Sequence, residues 1–533
     1  MEEDIMKIKR WKIAIAIVIV GLFFTGTAHI GLSTSIQKTE TVPHTTGTQS
    51  SFDPFMQGWT YRKQITIDHS KVTSDLTNFP VFISITDSDL HAKAQTNGND
   101  ILFMDDIGVA QQLNHEIESY DGSTGSLVAW VNMPSISSTV DIVLYMYYGN
   151  PNCDSQQHVE ATWNSNFMAV WHLQSDPTQP THDSTQNHND GSAHGTMDAS
   201  NVVNGKVGKC LVFDGADDYI SVPDSPSLDP TDLTLVAWYQ PKDENQISGD
   251  FLVKEGYDYW GNADGRIYGF WIHQEENYFG GEFETNTYQQ QDLIGNQPMS
   301  VGIWSYLALT FHKATQEGIF YVNGSINGIM NPCDSSVLWY HNPWDFVMGA
   351  NRFASGGSHV IDIFYHCDLD EIRILSTPLS SGWISTEYNN ENAPSSFYSI
   401  GSEVPIQPPA KPQRPSGTIN GKPGTEYTYT TVTTDPYSNT LYYTWSWGDG
   451  NVSGWYGPYG SGVVASASHV WATKGSYEIK VKAKDQRGLE SNWSDPLSVT
   501  MPLIYDYHGP SFLDRLFERF PNAFPILRRL LGY

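Results

Sequence analysis

Two short stretches far apart in the chain do most to limit what it can fold into. Residues 211–223 read LVFDGADDYISVP and residues 367–375 read CDLDEIRIL. In each, apolar residues alternate (Leu211 and Phe213, then Ile220 and Val222; Leu369, then Ile372 and Ile374), as a strand with one buried face requires. A cluster of carboxylates breaks each alternation. The Asp214-Gly215 turn and the acids around it suit a loop holding a hard cation. Such strands need partners, and the composition supplies them. Aromatics make up 13% of the chain, with 17 Trp and 29 Tyr, while long helical Leu/Ala/Glu/Lys patterns are missing from the interior. The expected fold class is all-β.

At 533 residues the chain is too long for one core and divides into about three or four domains. Lys and Arg number 29 against 59 Asp and Glu, a net charge of −30. A field of that sign repels phosphates, which argues against nucleic acid as a partner, and it favours divalent cations. At the N-terminus, Lys7, Lys9, Arg10 and Lys12 precede an apolar run that continues to Leu32. As a helix, residues 13–32 span about 30 Å, enough for one crossing, with the basic side inside and the rest of the chain outside. The TGTAH stretch at residues 25–29 is a poor cleavage site, which favours an uncleaved transmembrane helix over a removed signal. The protein is therefore expected at the cell surface, anchored in the cytoplasmic membrane. Cys153, Cys210, Cys333 and Cys367 form no CxxC pair; disulfides in an oxidising compartment and buried free thiols both fit.

After a Thr/Ser-rich spacer (33–54), a first unit spans 55–160. Its succession WTYRKQITI, LTNFPVFISI, NDILFMDD, LNHEIESYD, LVAWVNMP and VLYMYYGNP resembles the domain of unknown function 2341, which implies no activity. The second unit, 161–404, opens with AVWHL and HDSTQNHNDGSAHG and contains both acidic stretches described above. It resembles a laminin-G-like jelly roll of the concanavalin A-like superfamily, with Gln186 where the opening loop usually has Gly. A Pro-rich linker, PIQPPAKPQRP (405–415), is expected to be semi-rigid. In the third unit, 416–502, WGDG followed by GSYEIKVKAKD resembles the polycystic-kidney-disease-type Ig-like sandwich, usually a spacer. In the tail, 503–533, Leu513, Leu516, Phe517 and Phe520, then Ile526, Leu527, Leu530 and Leu531, recur at helical spacing with Arg515, Arg519, Arg528 and Arg529 between them. This amphipathic helical segment is too short and too charged to cross a membrane. Lying on one, docking a partner and packing on the third unit all fit.

Hydrolases on a concanavalin A-like fold carry paired carboxylates on one strand face. Glu116 and Glu118 share a face in HEIES but are expected to lie unpaired in the first unit. Asp368, Asp370 and Glu371 lack a third carboxylate at the needed spacing. Catalysis is not expected. The laminin-G resemblance instead implies a structural Ca²⁺ held by Asp183 and Asp370, with Asp217 or Asp218 as a third ligand. The bland alternative is that these acids cap turns and accept backbone hydrogen bonds. Tyr257, Tyr259, Trp260, Tyr268 and Trp271 surround an Asn-Ala-Asp-Gly turn and form a candidate sugar-stacking loop, although aromatics at strand spacing are more often core. The leading expectation is an adhesion or recognition protein whose jelly roll binds an extracellular glycan or a surface protein. A structural envelope component is the alternative, and a glycan-active enzyme comes third.

Overall fold

The computed structural model describes residues 54–105, 111–243, 249–256, 265–273, 278–284, 290–333, 344–355, 358–502, 512–522 and 525–532. The expected membrane segment lies outside them. Among the described residues no helix is long and apolar enough to cross a membrane.

The described chain is predominantly β-sheet. In the first unit, a three-stranded sheet runs in the order Leu76–Thr86, Ser126–Ile136, His115–Asp121. It packs on a sheet in which Tyr61–Ile67 and Ile142–Tyr148 are central. The second unit is a jelly roll of an eight-stranded and a seven-stranded sheet. The eight-stranded sheet places Leu233–Pro241 beside His366–Leu375, and this last strand also pairs with both Lys209–Asp214 and Phe167–Trp171. The two stretches that opened the sequence analysis are therefore direct neighbours, with Leu211 opposite Leu369 and Phe213 opposite Cys367.

Strand alternation shows how the two units join. Val81, Ile83, Ala129 and Val131 point into the first unit's own core, while Phe82, Val128 and Trp130 point the other way. On the jelly roll, Leu235, Ala237 and Tyr239 face inward, and Val236 and Trp238 face outward. The two outward sets, with Trp163, Tyr306 and Ile384, form a shared core between the units. Four sheets are thus stacked in one body, and its two central sheets are buried on both faces. That is why LVAWV and LTLVAWY read as nearly continuous apolar runs.

The boundary expected at residue 404 changes accordingly. Helix Ser381–Asn392 lies over the junction, and strand Tyr398–Ile400 pairs with Tyr61–Ile67, setting Ile65 opposite Ile400. The end of the second unit thus completes the first unit's sheet, and the jelly roll is an insertion within that sandwich. The linker is strapped at both ends: Ile406 N donates to Thr60 O, while Ala410 N and Gln413 N donate to Thr434 O and Val432 O. The third unit is a separate sandwich around Trp445, Trp447 and Trp471. All four cysteines are free thiols.

Candidate functional site

Carboxylates concentrate at the junction of the first two units, around Glu116 and Glu118. Both are buried, each bound by an indole: Trp163 Nε1 donates to Glu116 Oε2 at 2.7 Å, and Trp130 Nε1 to Glu118 Oε2 at 3.2 Å. The expectation that they stand unpaired is corrected here, because beside Trp130 of their own unit they meet Trp163 and His172 of the second. His172 Nδ1 donates to Glu371 Oε1 at 2.7 Å and lies 3.8 Å from Glu118 Oε2, and His172 Nε2 lies 3.3 Å from Glu116 Oε2. Arg373 Nη2 donates to Glu371 Oε2 at 2.5 Å, and Nη1 to Glu391 Oε1 at 2.7 Å and to Glu387. The guanidinium lies over the Trp130 ring, 4.4 Å from its centroid. Trp383 and Trp238 donate to Glu387 and Glu391 as Trp163 and Trp130 do to Glu116 and Glu118.

A β-bulge puts these acids together. Between Val236 and Trp238 the register slips, and opposite the slip Glu371 takes a left-handed φ of +51°. The extra residue lets Asp370, Glu371 and Arg373 avoid the jelly-roll core that holds Leu369, Ile372 and Ile374. Helix Ser381–Asn392 presents Glu387 and Glu391 one turn apart on one face.

Five buried carboxylates (Glu116, Glu118, Glu371, Glu387 and Glu391) thus meet two buried cations, with Asp370 buried next to Glu371. Burial would lower the His172 pKa, but Glu371 and Glu116 raise it well above its usual value, so the ring is an imidazolium. Burial would likewise raise Glu116 and Glu371, but His172 outweighs it at both, joined by Arg373 at Glu371, and holds them below the ordinary range. The remaining excess charge is met by protons. Burial and then the Glu371 charge push Glu118 up to about 8 and Asp370 well above the ordinary range, while burial brings Glu391 to about 7. A polar cleft of about 80 Å³ reaches the edge of this network past His182, Thr181 and Ser184 to Glu116 and His172.

Among the described residues, three sets of side chains bring potential metal-ligating atoms within 4.8 Å of one another: Glu118, His172 and Glu371; Asp68, His69 and Asp141; and Asp214, Asp217 and Asp218. The first is already engaged by Arg373 and Trp130. The third is the acidic turn between the Lys209–Asp214 and Tyr219–Val222 strands. There Asp218 is buried and accepts from Thr196 N, Asn201 Nδ2 and Asp214 N at 3.1–3.2 Å. Burial, followed by Asp214, raises its pKa. Neither Asp183 nor Asp370 belongs to this group. Asp183 is buried and shapes its own loop, accepting from Val170 N, Thr185 N and Asn189 N at 2.8–3.0 Å. Asp370 Oδ2 accepts from Val207 N at 2.8 Å.

Of the candidate aromatics, Tyr257, Tyr259 and Trp260 lie outside the described residues. Tyr268 is fully buried in the jelly-roll core and donates to Leu228 O at 2.8 Å, so this ring is no surface platform. Trp271 is half-buried, its indole flat against Gly280 on the next strand, where a Cβ would come within 2.4 Å of the ring.

Three family models match consecutive parts of the chain: a domain of unknown function (DUF2341) over residues 97–179, the concanavalin A-like lectin/glucanases superfamily over 214–385, and a PKD domain over 409–501. Among curated proteins none matches. Among solved structures, the PKD domain of an M14-like peptidase from a Thermoplasmatales archaeon is 46% identical, covering 18% of this chain and 98% of its own, with a TM-score of 0.17. The third sandwich is a PKD domain. In it, the WGDG turn serves the fold: His469 Nε2 donates to Asp449 Oδ2 at 2.8 Å, and the His469 ring stacks on Trp447 at 4.7 Å. Two further structures are similar to about a third of the chain. A Ruminococcus gnavus IT-sialidase CBM40 bound to α2,3-sialyllactose is 15% identical over 34% of this chain and 95% of its own, with a TM-score of 0.27. A heptameric SAP-like pentraxin from Limulus polyphemus is 14% identical over 33% and 78%, with a TM-score of 0.26.

Proposed function

We propose that this chain is an extracellular recognition protein, held at the cytoplasmic membrane by residues 13–32, whose jelly roll binds carbohydrate or a surface protein. The observation that carries the reading is the fate of the carboxylates. A glycosidase needs an acid and a nucleophile or base flanking an open substrate cleft. Here the acids of HEIES and of the Asp370-Glu371 bulge are buried between two sheets, each held by an indole, a guanidinium, an imidazolium or a backbone N–H, with Glu116 lining a narrow cleft of about 80 Å³. That use of carboxylates supports binding over hydrolysis. The match to a superfamily of lectins and glucanases, in series with a PKD domain, supports the same reading.

Within this proposal a structural Ca²⁺ sits in the Asp214, Asp217 and Asp218 turn. A hard cation takes oxygen ligands, and it would favour the ionised form of Asp218, which burial and then Asp214 disfavour. Thermal unfolding of the chain in calcium and then in chelator tests it. At a hundredfold excess over Kd, binding adds about 2.7 kcal/mol, seen as a rise of several degrees. Asp217→Ala removes an exposed ligand, leaves the hydrogen bonds of Asp218 in place and abolishes the rise. No calcium-dependent shift in the unaltered chain would remove the metal. A glycan array and a surface-protein screen, both without a hit, would remove the recognition reading.

A further inference from the structure

The C-terminal helices, Phe512–Arg519 and Pro525–Leu531, play no part in the recognition reading. Among the described residues, the three most exposed large apolar side chains are all here: Phe512 at 78%, Ile526 at 77% and Leu530 at 77%. Phe520 and Leu531 are also exposed, whereas Phe517 is buried. Ile526 and Leu530 stand one turn apart and share a helix face. Single exposed apolar residues are ordinary on a protein surface, but a run of them within twenty residues marks an interaction site.

Charge selects the partner. Residues 512–531 carry Arg515, Arg519, Arg528 and Arg529 against Asp514 and Glu518, in a chain whose overall charge is −30. The acidic body is repelled from an anionic surface, whereas this segment combines positive charge with exposed apolar side chains. Two such tails brought face to face would set like charges together. A bilayer with anionic headgroups offers both a counter-charge for the arginines and an apolar layer beneath for Phe512, Ile526 and Leu530. We propose that residues 512–531 lie on an anionic lipid surface and give the protein a membrane contact at its C-terminal end.

The test uses the full chain in vesicles, so that residues 13–32 tether it equally in every case. Trypsin cleavage after Arg519 and Arg529 is followed by mass spectrometry in phosphatidylglycerol vesicles, in phosphatidylcholine vesicles, and in detergent without lipid. The proposal expects cleavage at least about tenfold slower on the anionic vesicles alone, with the protection lost in high salt. Ile526→Asp with Leu530→Asp, and separately Arg528→Glu with Arg529→Glu, restore fast cleavage after Arg519, the site read in both variants because Arg529→Glu removes the second one; both pairs lie outside the three sandwiches. Equal cleavage on the two lipids overturns the proposal. So does protection that depends on protein concentration without lipid, which would assign the tail to a second copy.

Discussion

Glu371 is where the local chain departs from regular strand geometry, and much else depends on that departure. A left-handed φ is unfavourable for glutamate. It is held because the displaced carboxylate meets both His172 and Arg373, one on each oxygen. Arg373 in turn neutralises three acids and stacks on Trp130. Replacing it with leucine fills part of the space but leaves Glu371, Glu387 and Glu391 buried without their counter-ion. Arg373→Leu is expected to cost about 3–5 kcal/mol, measured by urea unfolding. A loss below about 1 kcal/mol would mean the network contributes little. A trace of this arrangement is already visible in the sequence. Leu369 and Ile372 are three apart where strict alternation demands two, and Arg373 sits between the apolar Ile372 and Ile374. Both marks point to a bulge with a buried charge, but neither says which residues answer it. His172 and Glu118 come from segments about 200 and 250 residues away, and only the fold brings them to Glu371.

At the level of elements, helix Ser381–Asn392 and strand Tyr398–Ile400 act as a clasp. The Asn390 side chain accepts from Phe82 N and donates to Phe82 O, and the Tyr398 hydroxyl does the same with Ser84. Both therefore bind the edge of Leu76–Thr86, while strand Tyr398–Ile400 caps the other sheet. A chain ending at residue 380 would leave Tyr61–Ile67 as an open edge and remove two carboxylate partners of Arg373. It is expected to aggregate on size exclusion, whereas a chain ending at 405 remains monomeric; equal behaviour of the two would sink the clasp. The elements themselves were legible because their signals are local: alternation, Asn-Gly and Asp-Gly turns, and WGDG. Membership was not. The clasp follows the jelly roll in sequence, and nothing in its own residues says that its partner strand lies at 61–67.

For the whole stacked body, proton balance sets the response to pH. Glu118 at about 8 and Glu391 at about 7, against an ordinary 4.5, bind protons more tightly when folded, so their contribution to stability declines as pH rises through that interval. The raised His172 acts in the same sense: its contribution is complete below the ordinary 6.5 and is lost as pH climbs through its folded value. Glu116 and Glu371, both lowered, work the other way, contributing above 4.5 and failing in stronger acid. The melting temperature of the first two units should therefore peak near about pH 5 and fall toward about pH 8. Glu118→Gln keeps an acceptor for Trp130 and should make that fall shallower; an unchanged slope would show that Glu118 does not hold the proton. The insertion of the jelly roll also matters while the protein is being made. Strand Tyr61–Ile67 emerges about 330 residues before Tyr398–Ile400, a wait on the order of tens of seconds at about 5–20 residues per second. During that time the first sandwich stays unfinished, and the protein's assembly runs from its middle outward.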